Sequence, residues 1–491
     1  MHWITTKSPQ DRPSRSRMYF SLIYTMAGTS LKQKLAAINE YERERVPDHA
    51  LKTNSSFIGM YAGEHTAGTE FVIGPLFVAH GVSAPHLLGG LLIGNILAVL
   101  SWTFLCAPIA VKLRLTLYYQ LEKICGIHLT RIYNLINGLM FCFLAGSMIA
   151  VSATAVGIPF SIPMPRLSDW YPTSIGWVVT VFGVGSVITF VAILGYDRIA
   201  RFANVAAPWM VAVFIAAALA VLPELGVKSL SDFWEAANSV IWTGIPQAGQ
   251  SKFTFWHVMF FAWFCNMAMH IGMADMSIFR YAKRWTYGLA SSGGVFVGHF
   301  MAWMASGILY AVYLKNQNTG EFAPGPIAFY AAGFAGAACV VVAGWTTANP
   351  TIYRAGLAIQ AMAPKTTTWK VTLVTGLVTT LAACFPALVM RLLDFVALYG
   401  LVLMPMGAII FADFYLSKRM GFSSNYAEHA DIKFNMAAAL TWIATLVICL
   451  GMNVYGDIEI FFLGLPGWFI AVALYVFISK LYQKSIKPNT I

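Results

Sequence analysis

"YAGEHTAG", residues 61–68, puts an acid, an imidazole and two glycines inside an apolar run that extends from Ser56 to Phe77. A charge at the centre of a bilayer costs at least about 3 kcal/mol on insertion scales. Such a residue therefore faces protein or a wet cavity, and it is a functional candidate by default. Whether Glu64 is such a residue depends on whether this run crosses a membrane.

Composition answers that question. Of the 491 residues, 58% are hydrophobic and only 11% are charged, against roughly 25% charged in soluble domains. Apolar runs of spanning length recur from residue 56 to residue 482, so the chain reads as an all-α, polytopic membrane protein with the lipid bilayer as its partner. Nothing in it suggests nucleic-acid binding; the formal charge of +11 comes from lysines and arginines in loops. The seven cysteines (106, 125, 142, 265, 339, 384 and 449) show neither CxxC nor Cys/His spacing and read as small packing residues. Within the polar tail, residues 1–55, "MYFSLIYTMAG" (18–28) is too short to span and lacks a signal-peptide pattern, and Met1 and Met26 both stand as possible starts.

The runs number about twelve: 56–79, 86–110, 132–158, 175–195, 201–223, 255–279, 287–314, 327–348, 371–390, 393–416, 434–452 and 461–482. "LTLYYQLEKICGIHLTR" (115–131) is amphipathic and is expected along the interface. With the N-terminus inside, all but five of the 32 lysines and arginines fall on the cytoplasmic side, the exceptions being Arg166, Lys228, Lys252, Lys315 and Arg391. This bias places both termini in the cytoplasm and the chain in the inner (plasma) membrane.

Two spans carry more polar residues and glycine than packing requires. Span 1 holds Gly63, Glu64, His65 and Gly68; span 6, "FFAWFCNMAMHIGMADMSIFRYAKR" (260–284), holds Asn266, His270, Gly272 and Asp275. They are the first and sixth spans, so they occupy matching positions in two five-helix halves, the sequence pointer to a transporter site at the midplane. An unwound helix exposes backbone groups that substrate and ion can satisfy where lipid cannot. Span 8 adds "VVVAGWTTANPTIYRAGLAIQ" (340–360), with adjacent Thr346 and Thr347 before Asn349-Pro350. Hydroxyls and a carbonyl freed by proline suit a small hard cation.

Four stretches together resemble the nucleobase:cation symporter-1 family, the purine-cytosine and hydantoin permeases. They are "ERVPDHALKTNSSFIGMYAG" (44–63), "MADMSIFRYAKR" (273–284), "WTTANPTIYRAGLAIQAMAP" (345–364) and "DFVALYGLVLMPMGAIIFADFYLSKR" (394–419). The resemblance implies a leucine-transporter-like fold with two inverted five-helix repeats. Its parts would be a cytoplasmic tail (1–55), a first repeat (56–223), a second repeat (255–416), accessory spans (434–482) and a C-terminal tail (483–491).

It also implies a sodium site formed by the carbonyls of Gly63, Thr66 and Ala343 and the hydroxyls of Thr346 and Thr347. A flat solute would be sandwiched by Trp263 or Phe264 and by Phe141 or Phe143, with Asn266 and Asn349 offering amides. Glu64 and His65 depart from the family's apolar or amide residues, and they are read as the acceptor for a polar or cationic substrate and its orienting partner. Asp275 with Arg280 is read either as a gate at the end of span 6 or as a structural pair.

The function expected is sodium-coupled symport of a nucleobase-like or related small nitrogen-containing solute, with no enzymatic activity. Alternatives are a proton-coupled carrier using Glu64 and His65, an intramembrane metalloenzyme with Glu64, His65, His270 and Asp275 as ligands, and a non-transporting sensor. Substrate identity, the coupling ion and the oligomeric state are not fixed by these residues.

Overall fold

The computed structural model describes residue 35 and residues 40–166, 169–316, 323–387 and 392–486. The chain clusters into two units, Met1–Asn39 and Glu40–Ile491. Of the first, only Leu35, in helical conformation, is described. The candidate starts Met1 and Met26 lie outside the described residues, as does the C-terminal stretch from 487 to 491.

In the second unit the twelve expected spans are all present as helices. Among the described residues, nine helices are long and apolar enough to cross a membrane. Span 9, Thr368–Ala383, is shorter, and the other two expected spans are the broken ones. Span 1 consists of Asn54–His65 and Glu70–Ala79, separated at Thr66–Thr69. Span 6 consists of Phe255–Phe264, Met267–His270 and Met276–Phe279.

Part of the backbone at the breaks is hydrogen-bonded locally, as membrane depth favours. At the end of the first half of span 1, the Thr66 amide and hydroxyl both donate to the Ala62 carbonyl, at 3.1 and 2.7 Å. In span 6 the chain makes wide turns: the amides of Ala274 and Asp275 reach back six residues to the Ala268 and Met269 carbonyls, at 3.0 and 3.1 Å. Met273 there has a φ of +66°, the left-handed region that a side chain enters at a cost. Span 10 fits against this break because residue 407 is glycine; a Cβ there would stand 2.0 Å from the Ile271 carbonyl.

Span 8 differs from its expected bounds. Its helix, Pro324–Met362, is kinked at Ala332 and Gly333, where Gly333 has a φ of +57°, and then runs through Pro350 without ending. The span is thereby shifted toward its C-terminus, and Arg354, read in the sequence as a loop charge, lies inside it with no exposed surface. Two spans contain π-helical turns, Trp102–Cys106 in span 2 and Gly293–Phe300 in span 7. Such turns re-aim side chains and occur often at functional sites; these two carry Trp102 and His299. The amphipathic stretch forms the separate helix Leu117–Cys125, which buries Leu117, Leu121 and Ile124 while Glu122 pairs with Arg43.

Span 7 packs along both halves of span 1, span 2 along the first half of span 6, and span 3 along span 8. The two broken spans thus lie in the interior of the bundle. Gly407→Ala should lower the melting temperature of the purified protein by several degrees, because overpacking at a fixed carbonyl costs about 1–3 kcal/mol. An unchanged melt would show that the break of span 6 does not rest on this close approach.

Candidate functional site

Arg354 of span 8 reaches both broken spans. Its Nη1 and Nη2 donate to the two carboxylate oxygens of Glu64, at 2.6 and 3.1 Å, and Nη2 also donates to Asp275 Oδ1 at 2.6 Å. The second oxygen of Asp275 accepts from the Tyr61 hydroxyl at 2.6 Å and from Trp102 Nε1 at 2.7 Å. All five side chains are buried. Charge-assisted, bidentate bonds of this kind are strong and fix geometry. The guanidinium therefore holds spans 1, 6 and 8 together at the level of the breaks.

This arrangement corrects two expectations. Asp275 is not paired with Arg280. Arg280 belongs to a separate cluster at the end of the bundle near the N-terminal segment. There it donates to the Tyr41 carbonyl at 2.9 Å and the Tyr353 hydroxyl at 3.0 Å, and it stands 3.9 Å from Glu40. Glu40 accepts from Tyr353 and Tyr281 at 2.7 and 2.9 Å. Burial pushes the Glu40 carboxyl above its usual range, and Arg280 opposes that shift. Glu64, for its part, is not an open acceptor, since both of its oxygens are held by Arg354.

Beside the clamp lies a cavity lined from both breaks. Glu64, His65 and Glu70 come from span 1, Asn266 from span 6, His299 and Trp303 from span 7, Thr347 from span 8 and Tyr399 from span 10. Of the residues the sequence singled out for substrate, it brings Glu64, His65 and Asn266 to the wall. Phe141, Phe143, Trp263, Phe264 and Asn349 stand off it. Trp263 and Phe264 stack on each other with centroids 4.5 Å apart, and Trp263 Nε1 donates to Ser101 at 2.9 Å. Phe141 packs edge-on behind Tyr399. The aromatic surface facing the cavity comes instead from His65, Tyr399 and the His299 and Trp303 rings, the last two stacked at 4.6 Å.

His65 donates from Nδ1 to the Tyr61 carbonyl at 2.9 Å, and its ring lies 4.7 Å from that of His299. Span 7 can lie this close because residue 298 is glycine; a Cβ there would be 2.4 Å from the His65 carbonyl.

The expected ion ligands are brought together in part. Thr346 Oγ1 donates to the Ala343 carbonyl at 3.0 Å, and Thr347 Oγ1 to the same carbonyl at 3.1 Å. Thr347 Oγ1 also reaches across to span 1 at 2.7 Å, where it meets the carbonyl of Glu64. A Cβ on Gly63 would be 3.5 Å from Thr346 Cβ, so Gly63 borders the same cluster. Oxygens of neutral groups from spans 1 and 8 thus converge, a donor set that fits a small hard cation. Among the described residues, no three His, Cys, Asp or Glu side chains gather to hold a metal ion. The ligand set of Glu64, His65, His270 and Asp275 does not form, because Arg354 occupies both carboxylates and His270 turns to the Trp263 carbonyl at 2.9 Å.

Solved structures share this architecture. Mhp1, described as a nucleobase-cation-symport-1 family transporter in a closed conformation with bromovinylhydantoin bound, matches over 92% of this chain and 97% of its own, with a TM-score of 0.69 and 14% identity. Its inward-facing form matches over 90% and 94%, with a TM-score of 0.65 and 13% identity. A Na+-coupled sialic acid symporter, in a substrate-bound outward-open state, matches over 95% and 97%, with a TM-score of 0.66 and 12% identity. This chain has their fold. It is the all-helical, leucine-transporter-like fold of a multi-pass membrane protein, as the sequence led us to expect. No family model and no curated protein matches the sequence.

Sequence reasoning missed Arg354, Glu70, His299 and Tyr399. Replacing Arg354 by Met should cost about 3–5 kcal/mol, because it leaves two carboxylates buried without a counter-charge. The triple change Arg354→Met, Glu64→Gln, Asp275→Asn should recover much of that loss in a thermal melt. A single variant as stable as the wild type would contradict the clamp.

Proposed function

We propose that this protein is a secondary active symporter of the nucleobase-cation type, which couples sodium entry to uptake of a small nitrogen-containing solute. The observation that carries the reading is the contact between Thr347 and the Glu64 carbonyl, where the span 8 oxygens meet the break of span 1 beside the cavity. An ion there would be held by the hydroxyls of Thr346 and Thr347 and by carbonyls of Ala343 and span 1, with Gly63, Thr66 and Glu64 as the candidates. Its charge offsets the cost of exposed carbonyl dipoles and draws spans 1 and 8 together. Thr347 and Glu64 also line the cavity, so an ordered ion site presents an ordered cavity wall. Solute binding and ion binding then favour each other by the same free energy.

The competing reading, proton coupling at Glu64 and His65, finds less support. Glu64 is engaged at both oxygens by a permanent cation, and a proton would have to displace Arg354. The Asp275–Arg280 gate is replaced in this reading by two layers, the Arg354 clamp and the Glu40–Arg280–Tyr353 cluster beyond it. The outer layer stands at the end of the bundle that, on the lysine and arginine bias, would face the cytoplasm with both termini, in the inner (plasma) membrane.

Uptake of a panel of labelled nitrogen heterocycles into proteoliposomes, with and without an inward sodium gradient, tests the reading. Accumulation should require sodium. In Thr347→Ala, half-maximal uptake should need about tenfold more sodium, with little change in solute affinity at saturating sodium. Equal uptake in sodium-free buffer, or an unaltered sodium dependence in both Thr346→Ala and Thr347→Ala, would overturn it.

A further inference from the structure

Among the described residues, four charged side chains are buried at the level of the breaks: Glu64, Glu70, Asp275 and Arg354. Arg354 serves Glu64 and Asp275 together and makes no contact with Glu70. Glu70, which opens the second half of span 1, accepts a hydrogen bond from Trp303 Nε1, and its other oxygen stands 3.7 Å from His299 Nε2. Its backbone carbonyl is held by the Ser306 hydroxyl at 2.7 Å, so the residue is fixed at both ends. Among the described residues, the titratable groups around it are His299 of span 7, His65 of span 1 next to that ring, and Cys265 of span 6, 3.9 Å from His299 Nδ1. None of these is a permanent cation.

Among the described residues, three carboxylates therefore face one guanidinium inside a low-dielectric bundle. A sodium ion beside Thr346 and Thr347 would offset one of the two excess negative charges. Glu70 remains, on the cavity wall, 3% exposed and, among the described residues, without a fixed counter-charge. A carboxylate in that position is stable only with a proton or a cation on it.

We propose that Glu70, with His299, is the recognition end of the solute site and that the solute is a small organic cation with N–H donors. Amidinium, guanidinium and protonated amino-heterocycle groups belong to this class. The chemistry of the wall suits such a group better than an inorganic ion. The carboxylate accepts charged N–H bonds, a neutral His299 accepts one more, and the stacked His299 and Trp303 rings offer an aromatic face to a delocalised cation. The role read in the sequence for Glu64 passes to Glu70, because Glu64 is clamped. A proton competes for the same oxygens, so lowering the pH should weaken solute binding.

This inference rests on the cavity being the solute site of a symporter, and the test separates the two. Binding to the purified full-length protein is measured by calorimetry and by thermal shift with two pairs matched in shape but not in charge, acetamidine against acetamide and benzamidine against benzamide, in sodium chloride and in choline chloride. In each pair the amidinium should bind at least about tenfold more tightly, and sodium should strengthen its binding. Glu70→Gln should abolish the preference by weakening the amidinium alone.

Equal binding within both pairs, no binding of either amidinium, or a preference that survives Glu70→Gln would overturn the proposal. Binding that sodium strengthens but charge does not affect would overturn this inference and leave the symport reading; charge-selective binding indifferent to sodium would do the reverse. Should Glu70→Gln fail to fold, Trp303→Phe keeps the charge and removes a competing donor. Its amidinium preference should persist or grow, and loss of that preference in the folded variant would overturn the assignment.

Discussion

The Arg354 guanidinium joins the two interrupted helices of this protein to a continuous one. A buried ion pair is not a cheap source of stability, since taking each charge out of water costs several kcal/mol. Its value here is geometric. Glu64 sits at the end of the first half of span 1, Asp275 at the last turn of the break in span 6, and Arg354 two turns beyond Thr347 in span 8. Fixing these three points fixes the separation of the half-helices, and with it the cavity wall and the oxygen cluster around Thr346 and Thr347.

In the proposed cycle this constraint explains why the charged residues are layered. The clamp lies under the cavity, and the Glu40, Arg280 and Tyr353 cluster lies beyond it toward the N-terminal segment. Opening toward that side would separate both layers, each at the cost of unpaired buried charges. The ion and the solute bind above the clamp, so they act on helices whose relative positions are already set. Glu70 differs from Glu64 and Asp275 in that, among the described residues, no guanidinium or ammonium pairs with it.

The fold was largely legible in the sequence, because membrane depth leaves few options: hydropathy marked the spans, and clustered polar residues with glycine marked the breaks in spans 1 and 6. The partners of the charges were not legible. The apolar run 327–348 leaves Arg354 among the loop charges, yet the helix continues through Pro350 to Met362. Asp275 and Arg280 are five residues apart and read in the sequence as a gate or a structural pair; the wide turn before Met276 sends one toward span 8 and the other toward the N-terminal segment. Trp263 and Phe264 had the right chemistry for a sandwich, but they stack on each other instead. Glu70 could have been found as a third ionisable residue in span 1, only two positions after Gly68, although its lack of a cationic partner shows only in three dimensions.

The central claim is that span 8 oxygens and the break of span 1 form a cation site that governs the cavity. Equilibrium binding of radioactive sodium to the purified protein tests it without knowledge of the solute. The account predicts saturable sodium binding that weakens sharply when Thr346 and Thr347 are both replaced by alanine, while the fold stays intact by thermal melt. Sodium binding that is absent in the wild type, or unchanged in the double variant, would contradict it.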